Sequence, residues 1–516
     1  MRHAVVVLLV LLRCALPAAA ATINAVSCSD SDIQTAINSS SHGDTVVIPN
    51  GSCTWTTGIG FSGKKVILRG ESKAGVRITK PSGNYAVAIA EDIDWTGQRV
   101  TNLTAITRSD GYSFFALRGR NWRLDTMDVE NLSGASLSEF ANAIGPLTFE
   151  TTGPAGLIHD VHTVNVRIWV GVAIPDVPAN AGYPWSSPLA LGSLNQTIIE
   201  DSSVTHTAGF PDGLDGNYGA RWTLRYSTIS GTSIDCHSVQ ANNRACRSWE
   251  IYKNTFTSPH AYFTPIFMRG GTGTIVNNTI AGSYSGKTIN LDAVRASDDR
   301  TGASGPLCAD GTYTCLGAPP QWTVTSPAYG DGVVPGDFSD NLWDSKNHAS
   351  PPTGCAIRDQ IGCGGDVSRW TSGSPYPKQY TVPAYFVGNR SDGSITSVNV
   401  SQVASQLRIQ ANRDYFNEVA GFNGTAGCGK GTKAQMLAIT PVSGSRVCFL
   451  VEDEGTWNKR FPSENFRIYV ETGGAWAFDP ANNLGWEPPE YPHPLRGASN
   501  PTSGPSLRGL GIGFPR

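Results

Sequence analysis

Charge and long apolar runs are both scarce in this sequence. Only 16% of its 516 residues are charged, and the formal net charge is -3. The chain therefore has neither the basic footprint of a nucleic-acid-binding protein nor a strongly acidic tail. No stretch after the amino terminus reaches the roughly 18 uninterrupted apolar residues that a membrane-spanning helix requires. We expect no nucleic-acid partner and no membrane insertion, and the sequence sets no oligomeric state.

Methionine is also rare, at 4 residues, whereas glycine is abundant, at 57. Together with many Asn, Ser and Thr residues, this composition is typical of turn-rich β proteins and predicts few helices. A chain of this length could form several globular domains, but an elongated solenoid accommodates it as one body.

The amino terminus has the features of an export signal. Arg2 and His3 precede an apolar run at 4–12, and the small residues at 18–21 offer a cleavage site. We interpret residues 1–21 as a signal peptide and expect a secreted protein, extracellular or periplasmic.

Removal of the signal peptide would also remove Cys14 and leave an even number of cysteines. The remaining cysteines fall into pairs of short sequence separation, which predict five disulfide bonds: Cys28/Cys53, Cys236/Cys246, Cys308/Cys315, Cys355/Cys363 and Cys428/Cys448. The alternative, zinc bound by thiolates, calls for clustered C-x-x-C spacings, and the sequence contains none.

Five short segments share one pattern, in which a short polar residue is followed by Ser or Thr and then by an apolar residue: 124–127, 201–204, 226–229, 253–256 and 277–280. From Ser202 to Ser227, Asn254 and Asn278 the steps are 25, 27 and 24 residues. Such a step suits one turn of a wide coil with three short strands. Ser and Asn suit the corner of each turn, because Asn tolerates left-handed backbone and short polar side chains bond to nearby backbone.

Apolar residues alternate with polar ones beside this repeat. Trp222, Leu224, Trp249 and Ile251 are expected to face the interior. The alternative, a flat β-sandwich, would join its strands by Asn-Gly or Asp-Gly turns at hairpin spacing, and these dipeptides do not recur in that way. The sequence therefore predicts an all-β fold, a right-handed parallel β-helix.

The ends of the coil are also recognisable. We expect the coil to span residues 22–398, with a helical cap at about 32–37, because an open rung would expose core and unpaired strand edges. A loop-rich stretch at about 301–375 predicts an insertion. Residues 399–516 predict a small C-terminal β module and a tail.

The central rungs, at 215–221, 247–252 and 269–273, resemble the pectate-lyase-like superfamily of right-handed parallel β-helices. More narrowly, they resemble secreted bacterial β-helix proteins without assigned activity, as do residues 358–362 and the ending Tyr491-Pro492-His493-Pro494-Leu495. The resemblance covers most of the mature chain. It implies a carbohydrate ligand, commonly an acidic polysaccharide, although a fold does not by itself imply a function.

The catalytic signatures of that superfamily are missing from this chain. The R-x-P-x-x-R and v-W-i-D-H motifs of pectate lyases do not occur, and Ile234-Asp235-Cys236-His237 is only faintly similar to the second. The G-H-G and paired-aspartate pattern of pectin-hydrolysing members is absent as well. The resemblance therefore transfers no mechanism.

Candidate site residues follow instead from register, because residues at similar offsets after each corner should stack on one face. The stack contains acidic and basic residues from successive rungs: Asp212, Asp215, Asp235, His237, Arg269 and Asp292. Such a column suits β-elimination on a uronic acid polymer, which needs a cation at the sugar carboxylate and a base for the C5 proton.

The catalytic candidates are His237, Arg269 and Asp235. Arg269 is the predicted cation, with Ca²⁺ held by Asp212, Asp215 or Asp235 as the alternative. His237 is the predicted base, since its ordinary pKa is about 6.5, and Arg225 or Tyr252 would be the substitutes. For Asp235 the alternative is a structural role, in which it orients His237 beside the Cys236/Cys246 loop.

Several basic residues lie within one rung and its loop and are predicted, with one tyrosine, to bind substrate carboxylate or sulfate groups: Arg221, Arg225, Arg244, Arg247 and Tyr252. The arginines equally suit structural ion pairs with acidic residues of the outer face, namely Glu200, Asp201 and Glu250.

The predicted function is a polysaccharide lyase that acts on an extracellular acidic polysaccharide. One alternative is a glycoside hydrolase that uses two of Asp212, Asp215 and Asp235. Carboxylates about 5.5 Å apart would then imply retention, and about 6.5–9.5 Å inversion. The other alternative is an adhesive rod whose stacked Ser, Thr and Asn side chains make flat contacts.

Overall fold

The structure is a computed structural model that describes residues 20–81, 85–89, 93–107, 113–131, 138–145, 156–172, 189–216, 220–236, 246–261, 263–292, 361, 382–401, 406, 409–482 and 484–497. In this part of the chain, 28 strands form one continuous sheet that winds into a coil, and four more form a separate sheet. All pairings in the coil are parallel except one two-residue hairpin. The predicted parallel β-helix is confirmed.

Each turn of the coil contributes one strand to each of three faces. Face A consists of β1 (Thr22–Asn24), β2 (Thr45–Ile48), β5 (Ile67–Gly70), β14 (Thr197–Glu200), β16 (Arg221–Arg225), β18 (Ser248–Tyr252), β21 (Thr272–Val276), β24 (Ala384–Val387) and β28 (Tyr415–Asn417), with the first halves of β8 (Arg99–Thr107), β10 (Arg123–Asn131) and β12 (Leu157–Val164).

Face B continues from the second halves of β8, β10 and β12. Its other members are β3 (Gly51–Thr54), β6 (Val76–Lys80), β19 (Thr255–Thr257), β22 (Thr279–Ile280), β25 (Arg390–Ser391) with its hairpin partner β26 (Ser394–Ile395), and the beginnings of β15 (Ser203–Gly216) and β17 (Thr228–Cys236).

Face C contains the ends of β15 and β17. Its other members are β4 (Ile59–Gly60), β7 (Val87–Ile89), β9 (Ser113–Leu117), β11 (Ser138–Gly145), β13 (Val166–Val172), β20 (Ile266–Met268), β23 (Ile289–Leu291) and β27 (Val398–Val400).

The interior is filled by apolar side chains that stack from rung to rung. On face A one such column runs through Leu124, Ile158, Ile199, Leu224 and Ile251, which pair across successive strands and are fully buried. Burial of each such side chain contributes roughly 1.5–3 kcal/mol. The predicted inward residues Trp222 and Trp249 are buried as well.

The two ends of the coil differ. Helix α1 (Asp30–Ser39) lies over the first rung, begins at the side-chain cap of Ser29 and buries Ile33, Ala36 and Ile37, as the sequence predicts. At the other end the coil continues to β28, beyond the boundary predicted at 398. The C-terminal module then follows, with β29 (Cys428–Gly431), α2 (Lys433–Leu437), β30 (Cys448–Val451), β31 (Arg467–Thr472) and β32 (Ala475–Ala477).

Side-chain amides connect the rungs at the corner between faces A and B. Asn254 Nδ2 donates to Asn278 Oδ1 at 3.0 Å, and Asn278 Nδ2 donates to Asn389 Oδ1 at 2.9 Å. The main-chain N–H of Ser227 donates to Asn254 Oδ1 at 2.9 Å. These side chains are buried, so the polar residues of the sequence repeat satisfy buried backbone groups of the neighbouring turn.

The left-handed backbone falls one residue before this amide ladder. Asp201, Tyr226, Lys253 and Asn277 have φ values of 48°, 50°, 58° and 54°. The left-handed residue of each corner is therefore not the Ser or Asn of the predicted pattern, whereas the expected bonding of short polar side chains to nearby backbone is observed. The Ser and Asn residues occupy the next position, where their side chains hydrogen-bond across the rungs.

One of the five repeat segments is out of register by two residues. Met127 pairs with Val161, and His162 pairs with Ser203, so Met127 rather than Asp125 occupies the position of Ser202. Asp125 instead accepts two hydrogen bonds from Arg99, at 2.7 and 2.6 Å, on the outer side of face A.

Three predicted disulfides are present, Cys28–Cys53, Cys236–Cys246 and Cys428–Cys448. They fit an oxidising compartment outside the cytosol. The other two predicted pairs, most of the signal peptide and all of the insertion at 301–375 except residue 361 lie outside the described residues. No helix in the described ranges is long and apolar enough to cross a membrane.

Candidate active site on face C

Two aspartates lie side by side on the outer surface of face C. Asp215 on β15 is in register with Asp235 on β17, between the apolar inward residues of each strand. Trp169 precedes this pair by one rung and Phe267 follows it by one rung. Since neighbouring strands lie about 4.8 Å apart, these four side chains form a continuous column along the coil.

Each aspartate has an arginine partner. Arg167 Nη1 lies 3.2 Å from Asp215 Oδ2. Arg269 Nε donates to Asp235 Oδ1 at 3.1 Å, and its Nη2 donates to Asp235 Oδ2. Both carboxylates are almost fully buried, whereas the Arg167 and Arg269 side chains keep 17% and 8% of their surface exposed. The arginine side chains therefore keep more exposed surface than the carboxylates they pair with.

Arg269 remains charged in this setting. Although burial lowers the pKa of its guanidinium, the carboxylate of Asp235 raises it further, and Asp212 and Asp215 add to that effect. Asp212 itself is half-buried, in an irregular part of β15 with a φ of 65°. Its carboxylate acts on Arg269 through charge, so Asp212, Asp215, Asp235 and Arg269 share one electrostatic environment, which we call the face C site.

Aromatic rings border the site on its Arg269 side. The Arg269 guanidinium lies 5.0 Å from the centroid of the Phe267 ring, and Phe263 packs edge-on against Phe267 at 5.3 Å. Phe263 is 47% exposed. An exposed ring beside a guanidinium can stack on a sugar ring whose carboxylate binds the cation.

Two predicted site residues, His237 and Arg244, lie outside the described residues. His237 is the next residue in the chain after Cys236, which ends β17 in register with Met268. Sequence reasoning missed Arg167, Trp169, Phe263 and Phe267. The alternation in 166–170 (V-R-I-W-V) could have placed the first two on the outside of a strand one rung before Asp215.

Two of the remaining predicted substrate-binding residues, Arg225 and Tyr252, lie on face A, away from the face C site. Arg221, Arg225, Arg247 and Tyr252 are buried, with at most 1% exposure. Arg225 on face A donates to Glu200 Oε2 at 2.8 and 2.6 Å, to the hydroxyl of Tyr252 at 3.0 Å and to two carbonyls of the C-terminal segment. Arg225 thus pairs with Glu200, as the ion-pair alternative predicts, and the C-terminal segment covers both Arg225 and Tyr252.

This C-terminal segment, residues 484–497, crosses the outer surface of face A. Tyr491 stacks on Tyr226 at 4.2 Å, Trp486 Nε1 donates to Glu250 Oε1 at 2.9 Å, and Arg496 Nε lies 2.6 Å from Glu200 Oε1. We call it the strap. It covers face A from β10 to β18 and leaves faces B and C as candidate ligand surfaces.

Glu250 under the strap should make stability depend on pH. Burial raises its pKa to about 7, above the value of 4.5 in the unfolded chain. The resulting stabilisation is complete below about pH 4.5 and is lost as pH rises through about 7, by up to about 3 kcal/mol. Denaturant titrations from pH 4.5 to 8 should therefore show that the free energy of unfolding of the wild type, taken relative to that of Glu250→Gln, falls as pH rises.

The exposed Glu490→Gln variant controls for the loss of one negative charge. Buried histidines act in the opposite direction, since burial lowers the pKa of His206 to about 4 and of His493 to about 3. The contribution of these histidines to the free energy of unfolding falls as pH drops below about 6.5. It is the same in the wild type, Glu250→Gln and Glu490→Gln. Equal slopes for wild type and Glu250→Gln would contradict the prediction.

In the described ranges no group of three or more His, Cys, Asp or Glu side chains is placed to hold a metal ion. The carboxylate oxygens of Asp215 and Asp235 face Arg167 and Arg269, which a calcium ion would have to displace. Arg167 and Arg269 therefore occupy the position predicted for calcium. With these ion pairs in place, Asp215 and Asp235 do not fit a calcium ion.

No protein-family model and no curated protein matches this chain. Among solved structures, the crystal structure of an alginate lyase from Paenibacillus sp. str. FPU-7 matches with 13% sequence identity and a TM-score of 0.31, over 52% of this chain and 93% of that chain. A likeness this distant carries no argument about function.

Proposed function

We propose that this protein is a secreted polysaccharide lyase that cleaves a uronic acid polymer by β-elimination at the face C site. The observation that carries the proposal is the row of two in-register aspartates, each paired with an arginine. The coil and the carbohydrate ligand agree with the pectate-lyase-like resemblance of the sequence, although the catalytic signatures of that superfamily are absent.

The arginines supply what a uronic acid substrate needs. A guanidinium has five N–H donors, and Asp235 accepts two from Arg269, which leaves donors for a substrate carboxylate. Binding of that carboxylate to Arg269 would withdraw electron density from C5 and acidify its proton, more strongly in a site of low dielectric than in water. Phe263 would support the ring of the same or the next sugar.

The elimination then requires a base for the C5 proton. We assign this role to His237, which follows β17 directly in sequence. The C5–H electrons form the C4–C5 double bond, the C4–O4 bond breaks, and the departing O4 takes a proton from solvent. Asp235 keeps Arg269 in position rather than reacting itself. Because the aspartates do not fit calcium while paired with arginine, no step depends on the metal.

A glycoside hydrolase on the same site has one observation in its favour. Asp215 and Asp235 are in register on adjacent strands, so their carboxyl groups are separated by about one strand spacing of 4.8 Å, which is nearer to the retaining than to the inverting geometry. A hydrolase, however, also needs a protonated carboxyl group as general acid. In both groups carboxylate oxygens are instead engaged by arginine.

The reaction product distinguishes these functions. We expect purified protein, incubated with a panel of soluble polyuronates, to produce the ultraviolet absorbance of an unsaturated uronate, equally with Ca²⁺ and with a chelator. New reducing ends without that absorbance would favour the hydrolase. The absence of both products with every polymer would overturn the enzymatic proposal and leave a binding protein.

A further inference from the structure

The outer surface of face B carries a regular array of hydroxyl groups. Two columns stand in register, one over four rungs, formed by Ser203, Thr228, Thr255 and Thr279, the other over three rungs, formed by Thr205, Ser230 and Thr257. We call these seven side chains the hydroxyl grid. Its columns are about 6.6 Å apart and its rows about 4.8 Å apart, because the members of a row are two residues apart on one strand and successive rows lie on adjacent strands.

The grid is flat and firmly supported. The residues between its columns, Val204, Ile229, Phe256 and Ile280, point inward and are buried with at most 1% exposure. The amide ladder holds the preceding corner of the same rungs. The hydroxyl groups therefore sit on a rigid plane, and ordering them on a ligand costs little conformational entropy.

The hydroxyl groups are accessible. Thr228, Thr255 and Thr279 are exposed, and the other four members are partly exposed. Ser203 Oγ lies 2.9 Å from His162 Nδ1 at the edge of the grid. For the other six hydroxyls, the described residues provide no side-chain hydrogen bond.

Charged groups lie at both ends of the grid, and none of its seven members is charged. The ion pairs Lys73–Asp128 and Arg77–Glu130 lie toward the amino-terminal end of face B, and Arg390–Glu418 lies beyond Thr279. The surface between them offers hydroxyl and methyl groups and, next to Ser203, the imidazole of His162. Its chemistry matches a neutral hydroxylated ligand and differs from the charged face C site.

We propose that the hydroxyl grid binds the ordered surface of an insoluble, neutral polysaccharide. This rests on the proposed function, since it takes polysaccharide as the ligand class, but it assigns a different polymer to a different face. A single hydroxyl–hydroxyl bond contributes little net free energy in water. A flat array can make many such bonds at once only on a ligand that is itself flat and periodic.

The two faces are physically continuous. Strand β15 carries Ser203 and Thr205 and then Asp215, and β17 carries Thr228 and Ser230 and then Asp235. A solid bound to the grid therefore lies around one corner of the coil from the face C site. The grid would hold the protein on a neutral matrix while acidic chains within that matrix reach Arg269.

The test is depletion of the protein from solution by microcrystalline cellulose and, separately, by α-chitin. We expect wild-type protein to bind at least one of them. Thr255→Lys, which puts a charge in the centre of the grid at an exposed strand position, should weaken that binding by about tenfold or more. Thr472→Lys, at an exposed strand position of the C-terminal module, is the matched control and should bind as wild type does.

Elimination assays with a soluble polyuronate separate this proposal from the proposed function. Thr255→Lys should keep wild-type turnover there, and a catalytically inactive protein that still binds the solid would refute the lyase without affecting the grid. Failure of wild-type protein to bind either polymer overturns the assignment of the grid. Equal binding by Thr255→Lys also overturns it, as would uptake into growing ice without polymer binding.

Discussion

We expect Arg269→Gln to lower kcat/KM for polyuronate elimination by about a thousandfold, in the upper range for the loss of one charge-stabilising donor in an active site. Glutamine keeps hydrogen-bonding capacity but loses the positive charge that acidifies the C5 proton. Arg269→Lys should recover part of the activity, because it restores the charge without the forked geometry. The measurement is the initial rate of unsaturated product formation as a function of substrate concentration.

In this experiment a loss of catalysis must be distinguished from a loss of folded protein. Arg269→Gln leaves Asp235 buried without its partner, which is destabilising. The double variant Arg269→Gln/Asp235→Asn removes both charges and should be folded and still inactive. Arg77→Gln, which breaks an arginine–carboxylate pair on face B, should leave kcat/KM unchanged. An active double variant would refute the role of Arg269.

The second large effect concerns stability. We expect Arg225→Met to lower the free energy of unfolding by about 3–5 kcal/mol, the range for breaking a buried ion pair. Arg225 and Glu200 have no exposed side-chain surface, and the variant also leaves carbonyl groups of Pro489 and Glu490 without their donor. Although burial raises the pKa of Glu200, Arg225 and Arg496 lower it further, so this carboxyl group stays ionised.

Denaturant titration measures this loss directly. The matched control is Arg460→Met, because Arg460 pairs with Asp201 at 3.4 Å while 49% of its side chain stays exposed. Such a pair contributes about 1 kcal/mol or less. If Arg225→Met were as stable as wild type and bound polysaccharide more weakly, the substrate-binding role predicted from the sequence would be restored.

The sequence predicts the coil well because the spacing of the repeat indicates which residues of successive turns are in register. Four corner segments and the inward residues Trp222 and Trp249 are where the spacing predicts them. The same logic brings Asp215, Asp235 and Arg269 onto one face. It fails at Asp125, where the polar–Thr–apolar pattern recurs two residues out of step, since local pattern alone does not distinguish a corner from the strand before it.

The partners of these residues could not be predicted in the same way. The sequence pattern of several arginines in one rung is equally typical of a substrate-binding site and of a structural ion-pair network. The choice depends on the strap, whose contact with face A has no periodic signal in the sequence. Arg167 escaped notice because it belongs to a strand outside the five recognised repeats, although it faces Asp215 in space.

The strap also changes how the coil can come apart. In a simple solenoid each turn contacts only its neighbours, so the ends can fray while the middle stays folded. Here the carbonyl of Arg496 accepts a hydrogen bond from Arg123 at 3.2 Å, and the same segment contacts Glu200, Arg225 and Glu250 on later turns. A single stretch of chain thus acts as a lengthwise clasp over successive turns. Unfolding of these turns becomes one cooperative event, and the clasp can close only after its residues have left the ribosome.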